Sequence, residues 1–411
     1  MRIYSLENPI QRYDWGSPDG LASALGIPNP EGGPFAELWM GAHPKAPSLA
    51  LVEGRRVALD ALVAAEPEAV LGPASVARFG PALPFLFKAL SAGAPLSIQA
   101  HPAKRKAERG FERENLAGIP RDAPERNYRD ANHKPEMAVA LTRFEGLCGF
   151  RPVEEIVENI RLLSPDGHSR IAGRLERNPG RVELSVLFYS TISAPEEDKQ
   201  AALARVRPRV ERLLAEGGLG PAREKALRWA KRLFELFPGD IGALAPLLLN
   251  LVALEPGEAV FIGAGELHAY LEGTALEIMA NSDNVIRGGL TRKHVDVPEL
   301  ISVLTFSPAT PVVFGPERVS ESEELYPAFA PDFQLSRLRP RRGSPLRRSP
   351  LGPEILLCGE GAFAIREGGG AVELSRGASA FVRADAEEYE IEGEGTLFAA
   401  SVPRGGRPEE P

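Results

Sequence analysis

The pattern of apolar and polar residues changes twice along the chain. From residue 1 to about 150, short apolar segments alternate with turns rich in glycine and proline, which predicts short strands. Within this part, residues 60–71 predict a short helix, and residues 84–90 and 94–98 predict two successive buried strands. The first part of the chain is therefore predicted to be mainly β.

A helical pattern replaces this alternation after Pro152, a residue type that suits the first turn of a helix. Apolar residues recur there at helical spacing, and they do so again in residues 196–216 and 222–237. Pro208 is predicted to kink or divide the helix of residues 196–216. We interpret residues 152–248 as a helical insertion.

Strand character returns near residue 252, and the returning segment shares a pattern with a later one. Six identical residues recur at a constant offset of 120 positions, as a repeated β-hairpin unit would leave them. The pattern predicts at least two related β modules. The recurring pairs are Leu254 and Leu374, Gly257 and Gly377, Phe261 and Phe381, Ala264 and Ala384, Glu272 and Glu392, and Gly273 and Gly393.

Composition limits the class of protein. A chain of 411 residues implies more than one domain, and 43% hydrophobic with 25% charged residues is typical of a soluble globular protein. A net charge of −8 and an isoelectric point near 5.5 argue against nucleic acid or an anionic membrane as a partner. No apolar run approaches the roughly 18 residues of a membrane span.

The two cysteines, Cys148 and Cys358, lie far apart in apolar surroundings and form no disulfide framework. We interpret them as buried thiols in a reducing compartment. Residues 1–9 are too polar to predict a signal peptide, so a cytoplasmic protein is expected.

Three separate segments supply residues that suit a metal ion. Gln99 and His101 occupy alternate positions of an apolar strand, so both side chains point to one face. Glu136 stands where a polar loop runs into an apolar strand, and a buried carboxylate there needs a partner. The position that corresponds to His268 in the later repeat is Glu388, which suggests that the fold does not require His268.

Two imidazoles, a carboxylate and an amide oxygen suit Zn²⁺ with one position left open for substrate. With a single carboxylate the site keeps a formal charge of about +1, which favours an anionic intermediate such as an enediolate. That charge gives a reason for the neutral side chain of Gln99 among the ligands.

The remaining polar segments leave alternatives open. Residues 277–293 contain Asp283, Arg287 and two adjacent glycines directly after an apolar strand, and they form either a loop at a pocket mouth or a surface turn. His43 precedes a proline in a loop, where a structural hydrogen bond is the favoured interpretation. His168 lies in a predicted turn of the helical part and is set aside.

Five segments, in this order, carry a resemblance to a known family: residues 13–16, 36–44, 96–102, 128–150 and 265–291. In these segments the chain resembles the type I mannose-6-phosphate isomerases, which are zinc enzymes of the cupin superfamily. The most specific motifs are residues 132–136 and 282–287. The chain departs from the family pattern at residues 288–289 and at Arg292. These differences alter the loop but do not affect the residues implied in catalysis.

The resemblance implies a mainly β fold of tandem cupin, or jelly-roll, barrels with an α-helical insertion. Residues 1–151 and 249–330 would form the catalytic cupin domain, residues 152–248 the helical insertion, and residues 331–411 a cupin-like domain without metal. One Zn²⁺ per chain and a phosphosugar substrate are implied, and a monomer is expected. The implied zinc ligands are Gln99, His101, Glu136 and His268.

The implied reaction is the interconversion of mannose 6-phosphate and fructose 6-phosphate through a cis-enediolate stabilised by zinc and Arg287. Two alternatives remain, an isomerase of another phosphosugar and a non-catalytic sugar-phosphate-binding cupin. The base also stays open, because Lys134 must lose its proton before it can accept one, whereas Asp283 needs no such change. The implied roles are catalysis for Arg287, proton transfer for Lys134 and Asp283, ring opening for His133, and phosphate contact for Lys88 and Ser97.

Overall fold

The computed structural model describes residues 1–164, 170–327 and 329–403. It contains two antiparallel sheets, and most of its helices come from the middle of the chain. The predicted mainly β fold with helices in its middle part is confirmed. His168 lies outside the described residues. The strands are β1 (Ile3–Glu7), β2 (Ile10–Gln11), β3 (Glu37–Met40), β4 (Leu49–Val52), β5 (Arg55–Ala58), β6 (Phe85–Ala92), β7 (Ile98–Ala100), β8 (Glu136–Ala140), β9 (Phe144–Phe150), β10 (Leu249–Leu254), β11 (Ala259–Ile262), β12 (His268–Ala280), β13 (Ile286–Gly289), β14 (Val313–Phe314), β15 (Glu317–Arg318), β16 (Glu323–Tyr326), β17 (Gln334–Leu338), β18 (Leu346–Arg348), β19 (Glu354–Glu367), β20 (Gly370–Ser375), β21 (Ser379–Val382) and β22 (Tyr389–Ser401).

The first sheet is organised around the long strand β12. Along its length β12 pairs with β6, β7, β8 and β9, so it links segments that are far apart in sequence. Strands β2, β3, β10, β11, β13 and β14 complete this sheet. Every segment that carries a predicted metal ligand therefore lies in one sheet.

The second sheet contains β15 to β22 together with three strands from the start of the chain, β1, β4 and β5. Strand β1 pairs with β21, and the hairpin β4–β5 continues from β1. Alternating apolar residues predict that these are strands, but they do not reveal the pairing partner. Residues 1–151 thus contribute to both sheets.

The internal repeat is confirmed by matching elements. Strands β11 and β21 have four residues each and differ by 120 positions, and β12 and β22 have thirteen residues each. The turn glycines Gly257 and Gly377 share positive φ values of 91° and 83°. His268 is fully buried, whereas Glu388 at the corresponding place is exposed.

Of the residues that the structure describes between 153 and 248, most lie in helices. Pro208 lies inside one helix of 21 residues and does not divide it. The helix predicted at residues 60–71 is interrupted at Glu66, because the following Pro67 starts a new helix. The helices are α1 (Gly20–Leu25), α2 (Leu59–Ala65), α3 (Pro67–Leu71), α4 (Pro73–Phe79), α5 (Lys104–Leu116), α6 (Val153–Leu163), α7 (Arg170–Arg177), α8 (Arg181–Ile192), α9 (Glu196–Glu216), α10 (Pro221–Leu236), a 3₁₀ turn (Ile241–Leu244), α11 (Ala245–Leu248) and α12 (Val297–Val303). Of the helices described, none has both the length and the apolar character of a membrane span.

Helix α5 was not predicted, because its apolar pattern is weak. Its buried residues are Ala107, Gly110 and Glu114. Gly110 packs against the ring of Tyr128 so closely that a Cβ would overlap the ring. Close packing of a small residue leaves no periodic hydrophobic signal in the sequence.

Strand β8 separates two cores by the alternation of its side chains. Met137 and Val139 belong to a core that the first sheet shares with the second sheet and that also contains Phe333. Ala138 and Ala140 belong to a smaller core on the other face. Since side chains alternate along a strand, β8 presents one face to each core.

Gly273 of β12 packs closely against the backbone at Arg143, and a substitution there tests this packing. It has a φ of 113°, and a Cβ would overlap the backbone oxygen of Arg143. Gly273→Ala is expected to lower the free energy of unfolding by about 3 kcal/mol, from backbone strain and overlap together. Chemical denaturation measures this loss.

Gly54→Ala is the control, because Gly54 has a φ of 77° and open space at its Cβ. Only about 1 kcal/mol of the free energy of unfolding should be lost there. Equal losses in the two variants would contradict the steric argument.

Candidate active site

Three neighbouring strands place His268, Gln99 and Arg287 in one row. His268 of β12 is the register partner of Gln99 in β7, and Gln99 is also the register partner of Arg287 in β13. Residues directly opposite each other in antiparallel strands project to the same face of the sheet. The row therefore brings together two predicted metal ligands and the predicted catalytic arginine.

His101, Glu136 and His268 converge in the interior. One ligand atom from each lies within 4.8 Å of the others, and all three side chains are at most 1% exposed. Nε2 of His101 lies 3.3 Å from Oε1 of Glu136, and Nε2 of His268 lies 3.4 Å from Oε2. Gln99 is also present, since its Nε2 lies 3.4 Å from Nε2 of His268.

Backbone carbonyls fix the tautomer of both histidines. Nδ1 of His101 lies 2.7 Å from the carbonyl oxygen of Asn284, and Nδ1 of His268 lies 3.0 Å from that of Glu266. A carbonyl oxygen can only accept, so each Nδ1 carries the hydrogen and each Nε2 keeps its lone pair. Burial, helped by the Lys134 ammonium, lowers the pKa of His101 to about 4, so this imidazole is neutral at neutral pH.

The donor set fits a divalent cation. Nε2 of His101 and Oε2 of Glu136 are buried atoms without a hydrogen-bond partner among the described residues, and buried polar atoms normally have one. Two imidazole nitrogens, one carboxylate and one amide oxygen are ligands that Zn²⁺ accepts. A 180° rotation of the Gln99 amide exchanges its nitrogen and oxygen, which would present the oxygen to the cluster.

Lys134 lies beside the metal-ligand cluster. Its Nζ is 2.6 Å from Oε1 of Glu136. Burial would raise the pKa of Glu136, but the Lys134 ammonium and His101 outweigh burial and hold that pKa well below its usual range. Glu136 is therefore an ionised carboxylate, as a metal ligand must be.

Lys88 belongs to a second buried charge cluster. Its Nζ lies 2.9 Å from Oε2 of Glu277 and 3.6 Å from Oε1 of Glu37. Trp39 donates its indole hydrogen to Glu37, and Tyr270 donates its hydroxyl hydrogen to Glu277. Two glutamates already surround this ammonium, and they would repel a phosphate. The placement argues against the expected phosphate contact for Lys88.

Sequence reasoning did not identify Glu277 as a member of the site. Burial raises its pKa against the opposing effect of the Lys88 ammonium. Its position on β12, among apolar residues, was the available signal, because a glutamate there needs a buried cation as partner.

Asp283 is bound to the first part of the chain. Its Oδ2 lies 2.8 Å from Nζ of Lys45, and its Oδ1 lies 3.5 Å from Nε2 of His43. His43 is thus a structural hydrogen-bonding residue, as interpreted from the sequence. Burial would raise the pKa of Asp283, but His43 and Lys45 outweigh it and hold the pKa well below its usual range. A carboxylate with so low a pKa is a weak base at neutral pH.

Among the described residues, no side-chain hydrogen bond or ion pair joins His133 or Ser97 to the metal-ligand cluster. Nε2 of His133 lies 2.8 Å from Oδ2 of Asp332, and both side chains are buried. Nδ1 of His133 is buried and has no hydrogen-bond partner within the part of the chain that the structure describes. Ser97 is half-buried and directly precedes β7. The role of His133 in ring opening and that of Ser97 in phosphate contact remain predictions.

Two cations that sequence reasoning missed lie near Arg287. Burial and the charge of Arg129 lower the pKa of Arg287, and burial with the charges of Arg287 and Arg129 lowers the pKa of Lys293. The described residues include no carboxylate in an ion pair with any of these three side chains. Arg129 lies near the start of the segment 128–150, and Lys293 ends the segment 277–293. The basic residues at these ends were the available signal.

Hydrogen bonds hold the two segments that carry these cations. Asn127 donates to Oδ2 of Asp296 at 2.8 Å, and the Tyr128 hydroxyl donates to Oε1 of Glu299 at 2.6 Å. The backbone N–H of Arg129 donates to Oδ1 of Asn284 at 2.7 Å. Asn284 thereby contacts both the ring of His101, through its backbone oxygen, and the backbone of Arg129, through its side chain.

Comparisons with known proteins agree with this geometry. A family model described as phosphomannose isomerase type I, catalytic domain, matches residues 3–153. The mannose-6-phosphate isomerase of Salmonella typhimurium is 42% identical over 402 residues, covering 96% of this chain and 98% of that protein. The chain belongs to the type I mannose-6-phosphate isomerase family. The human relative of the same name is 37% identical over 357 residues, covering 81% of each protein.

Solved structures of the family extend the match to the whole fold. A phosphomannose isomerase from Salmonella typhimurium has a TM-score of 0.89 and 39% identity, covering 98% of this chain and 100% of that chain. A zinc-bound mannose 6-phosphate isomerase has a TM-score of 0.88 with the same identity and coverage. The family therefore includes the second sheet and the helical part as well as the catalytic segments.

The ion pair of Asp283 predicts a pH dependence. The folded-state pKa of Asp283 lies below its value of about 3.9 in an unfolded chain, so its ionised form stabilises the fold above that pH. This contribution is lost as the pH falls toward the folded-state pKa. Lys45→Met is expected to raise the pKa of Asp283 and to weaken this dependence, as measured by carboxyl NMR titration and by unfolding at several pH values.

A remote ion pair provides the control for that experiment. Lys225 of α10 lies 2.9 Å from Glu145 of β9. Lys225→Met should leave the pKa of Asp283 unchanged. If the titration of Asp283 is the same in Lys45→Met and in the unmodified protein, the argument is wrong.

Proposed function

We propose that this chain interconverts D-mannose 6-phosphate and D-fructose 6-phosphate. The observation that carries the proposal is the row formed by His268, Gln99 and Arg287 beside the buried pair of His101 and Glu136. This arrangement places a set of metal ligands and a cation at one point. Membership of the family supports the same reaction.

Moving a carbonyl between C1 and C2 requires removal of a carbon-bound proton and stabilisation of the resulting cis-enediolate. Arg287 supplies a permanent positive charge for that oxyanion, because a guanidinium stays protonated in proteins. It is half-buried, and its register with Gln99 fixes its approach to the metal ligands. A preorganised cation of this kind stabilises charge that develops in the transition state.

We assign Zn²⁺ to Gln99, His101, Glu136 and His268. When bound, the ion supplies a positive charge that polarises the substrate oxygen atoms. Two backbone carbonyls hold the histidines ready, and Glu136 is ionised. Gln99 contributes an oxygen ligand without a negative charge.

Lys134 is the base that we propose for the proton transfer. Its Nζ lies at the metal-ligand cluster, 2.6 Å from Glu136. A lysine amine at this place is within reach of a substrate held at the same ligands and can take part in proton transfer. Asp283 is the weaker candidate, since His43 and Lys45 hold its carboxylate in the ionised form.

Arg129 and Lys293 replace Lys88 in our assignment of the phosphate contacts. Both cations lie near Arg287, and like charges held together are stabilised by an anion. Lys88 is surrounded by carboxylates.

Two other functions are compatible with a metal site of this kind. A non-catalytic sugar-phosphate-binding cupin would not need a base beside the metal ligands, so the position of Lys134 favours an enzyme. An isomerase of another phosphosugar would share the metal ligands and Arg287, and only a substrate comparison distinguishes it.

We also propose that each sheet closes into a cupin barrel, a proposal supported by the repeat of β11–β12 in β21–β22. The proposed catalytic domain comprises residues 1–151 and 249–330, the insertion residues 152–248, and the C-terminal domain residues 331–411. Strand β1 pairs with the C-terminal strand β21, and β4 and β5 continue the sheet from β1. Two free buried thiols support a reducing cytoplasm, and a monomer is proposed.

A coupled assay tests the reaction. Purified protein with mannose 6-phosphate is expected to form fructose 6-phosphate, and a chelator should abolish the activity until zinc is restored. Glucose 6-phosphate under the same conditions is the substrate control. Absence of metal-dependent fructose 6-phosphate would refute the proposal, and equal rates with both sugars would favour the isomerase of broader substrate range.

The phosphate assignment predicts a change in substrate binding. Arg129→Met and Lys293→Met should each raise the KM for mannose 6-phosphate about tenfold, because each removes one charged contact, while zinc content stays normal. Lys231→Met is the surface control, since Lys231 lies on α10. Unchanged KM values in both active-site variants would refute the assignment.

A further inference from the structure

Asp332 directly precedes Phe333 in the connection to β17. Its side chain contacts His133, which lies three residues before β8 of the first sheet. Its Oδ2 lies 2.8 Å from Nε2 of His133, and the two residues are 3% and 7% exposed. A carboxylate can only accept, so Nε2 of His133 donates the hydrogen. The pair is a buried hydrogen bond between distant parts of the chain.

Neighbouring contacts fix the place of Asp332. Tyr326 donates its hydroxyl hydrogen to the carbonyl oxygen of Gly257 at 3.0 Å. Phe333 is fully buried, and its ring centroid lies 6.4 Å from that of Phe261 in β11. Asp332 therefore lies in a packed interface and is held where it meets His133.

His133 belongs to the short segment that carries Lys134 and Glu136. The carbonyl of Asn132 accepts from the Asn284 side chain at 2.8 Å, and the carbonyl of Pro135 accepts from the N–H of Ala280 at 3.1 Å. Between these two points the side chains hold the segment, His133 by Asp332 and Lys134 by Glu136.

We propose that Asp332 is a positioning residue for the isomerase reaction. Through His133 it holds the segment from which Lys134 extends, so that the Lys134 amine stays beside Glu136 and the reacting carbon. The side-chain contact of Asp332 is with His133 and not with a predicted metal ligand. This inference rests on the proposed function and extends it, because it makes the C-terminal part of the chain necessary for the rate of the reaction.

A purely structural contact would behave differently. Loss of an interface hydrogen bond lowers stability, but it leaves the rate per folded molecule unchanged. Loss of a positioning contact lowers kcat in protein that remains folded, because small displacements of a catalytic group have large effects on rate. Zinc content should be normal in either case, since the metal ligands are held by β7, β8 and β12.

The test compares kcat, KM, zinc content and melting temperature. Asp332→Ala is expected to lower kcat about tenfold or more while KM changes less than about twofold. Asp332→Asn should recover kcat to within about threefold, because its amide oxygen still accepts from Nε2 of His133. Asp332→Glu keeps the charge but displaces the acceptor, so a folded protein with reduced kcat is expected even if the alanine variant fails to fold.

Tyr326→Phe is the matched control, because it removes a different hydrogen bond of the same interface. It should lower the melting temperature without changing kcat. If Asp332→Ala or Asp332→Glu shows the same behaviour, or loses zinc, the positioning role is overturned. An inactive unmodified protein would refute the proposed function itself, whereas an active one with normal kcat in the Asp332 variants would refute only this inference.

Discussion

The metal-ligand cluster depends on the position of Asn284, which is fully buried. Its backbone oxygen fixes the hydrogen of His101 on Nδ1, so that Nε2 can act as a ligand. Its side chain accepts from the backbone of Arg129 and donates to the carbonyl of Asn132. One residue thus orients a metal ligand, a cation near Arg287 and the segment that leads to Glu136. A side chain with both a donor and an acceptor is needed for this, which explains an asparagine in a fully buried place.

Buried charge is the second constraint on the site. Within the two buried charge clusters of the site, the carboxyl groups of Glu37, Glu136 and Glu277 outnumber the ammonium groups of Lys88 and Lys134 by one. Burying an unpaired charge is costly, and a divalent cation at Glu136 would compensate the excess. The same argument separates the two lysines. Lys88 has two carboxylate neighbours, whereas the ion pair of Lys134 among the described residues is with Glu136, the carboxylate that a metal would bind.

The sequence predicted those features that leave a local pattern. The boundary between β and helical parts follows from spacing, and the alternation of Gln99 and His101 placed both on one face. The repeat in the sequence predicted that β11 and β21 correspond, 120 positions apart. It also showed that Glu388 stands where the first copy has His268. Features that depend on contacts between distant residues were not predictable. The pairing of β1 with β21, the packing of Gly110 on Tyr128 and the carboxylates around Lys88 arise from tertiary structure, and none leaves a periodic signal.

The second copy of the repeat differs from the first at the position of His268 and packs against the first sheet. Where the first copy has a buried His268, the second has an exposed Glu388, so it lacks this ligand but keeps the thirteen-residue strand and its turn glycines. Its interface with the first sheet is apolar at Phe333 and polar at Tyr326 and Asp332. An apolar interface alone would have supplied stability. Because a buried carboxylate is costly unless it is paired, Asp332 requires its contact with His133, and this contact joins the module to residues 132–136.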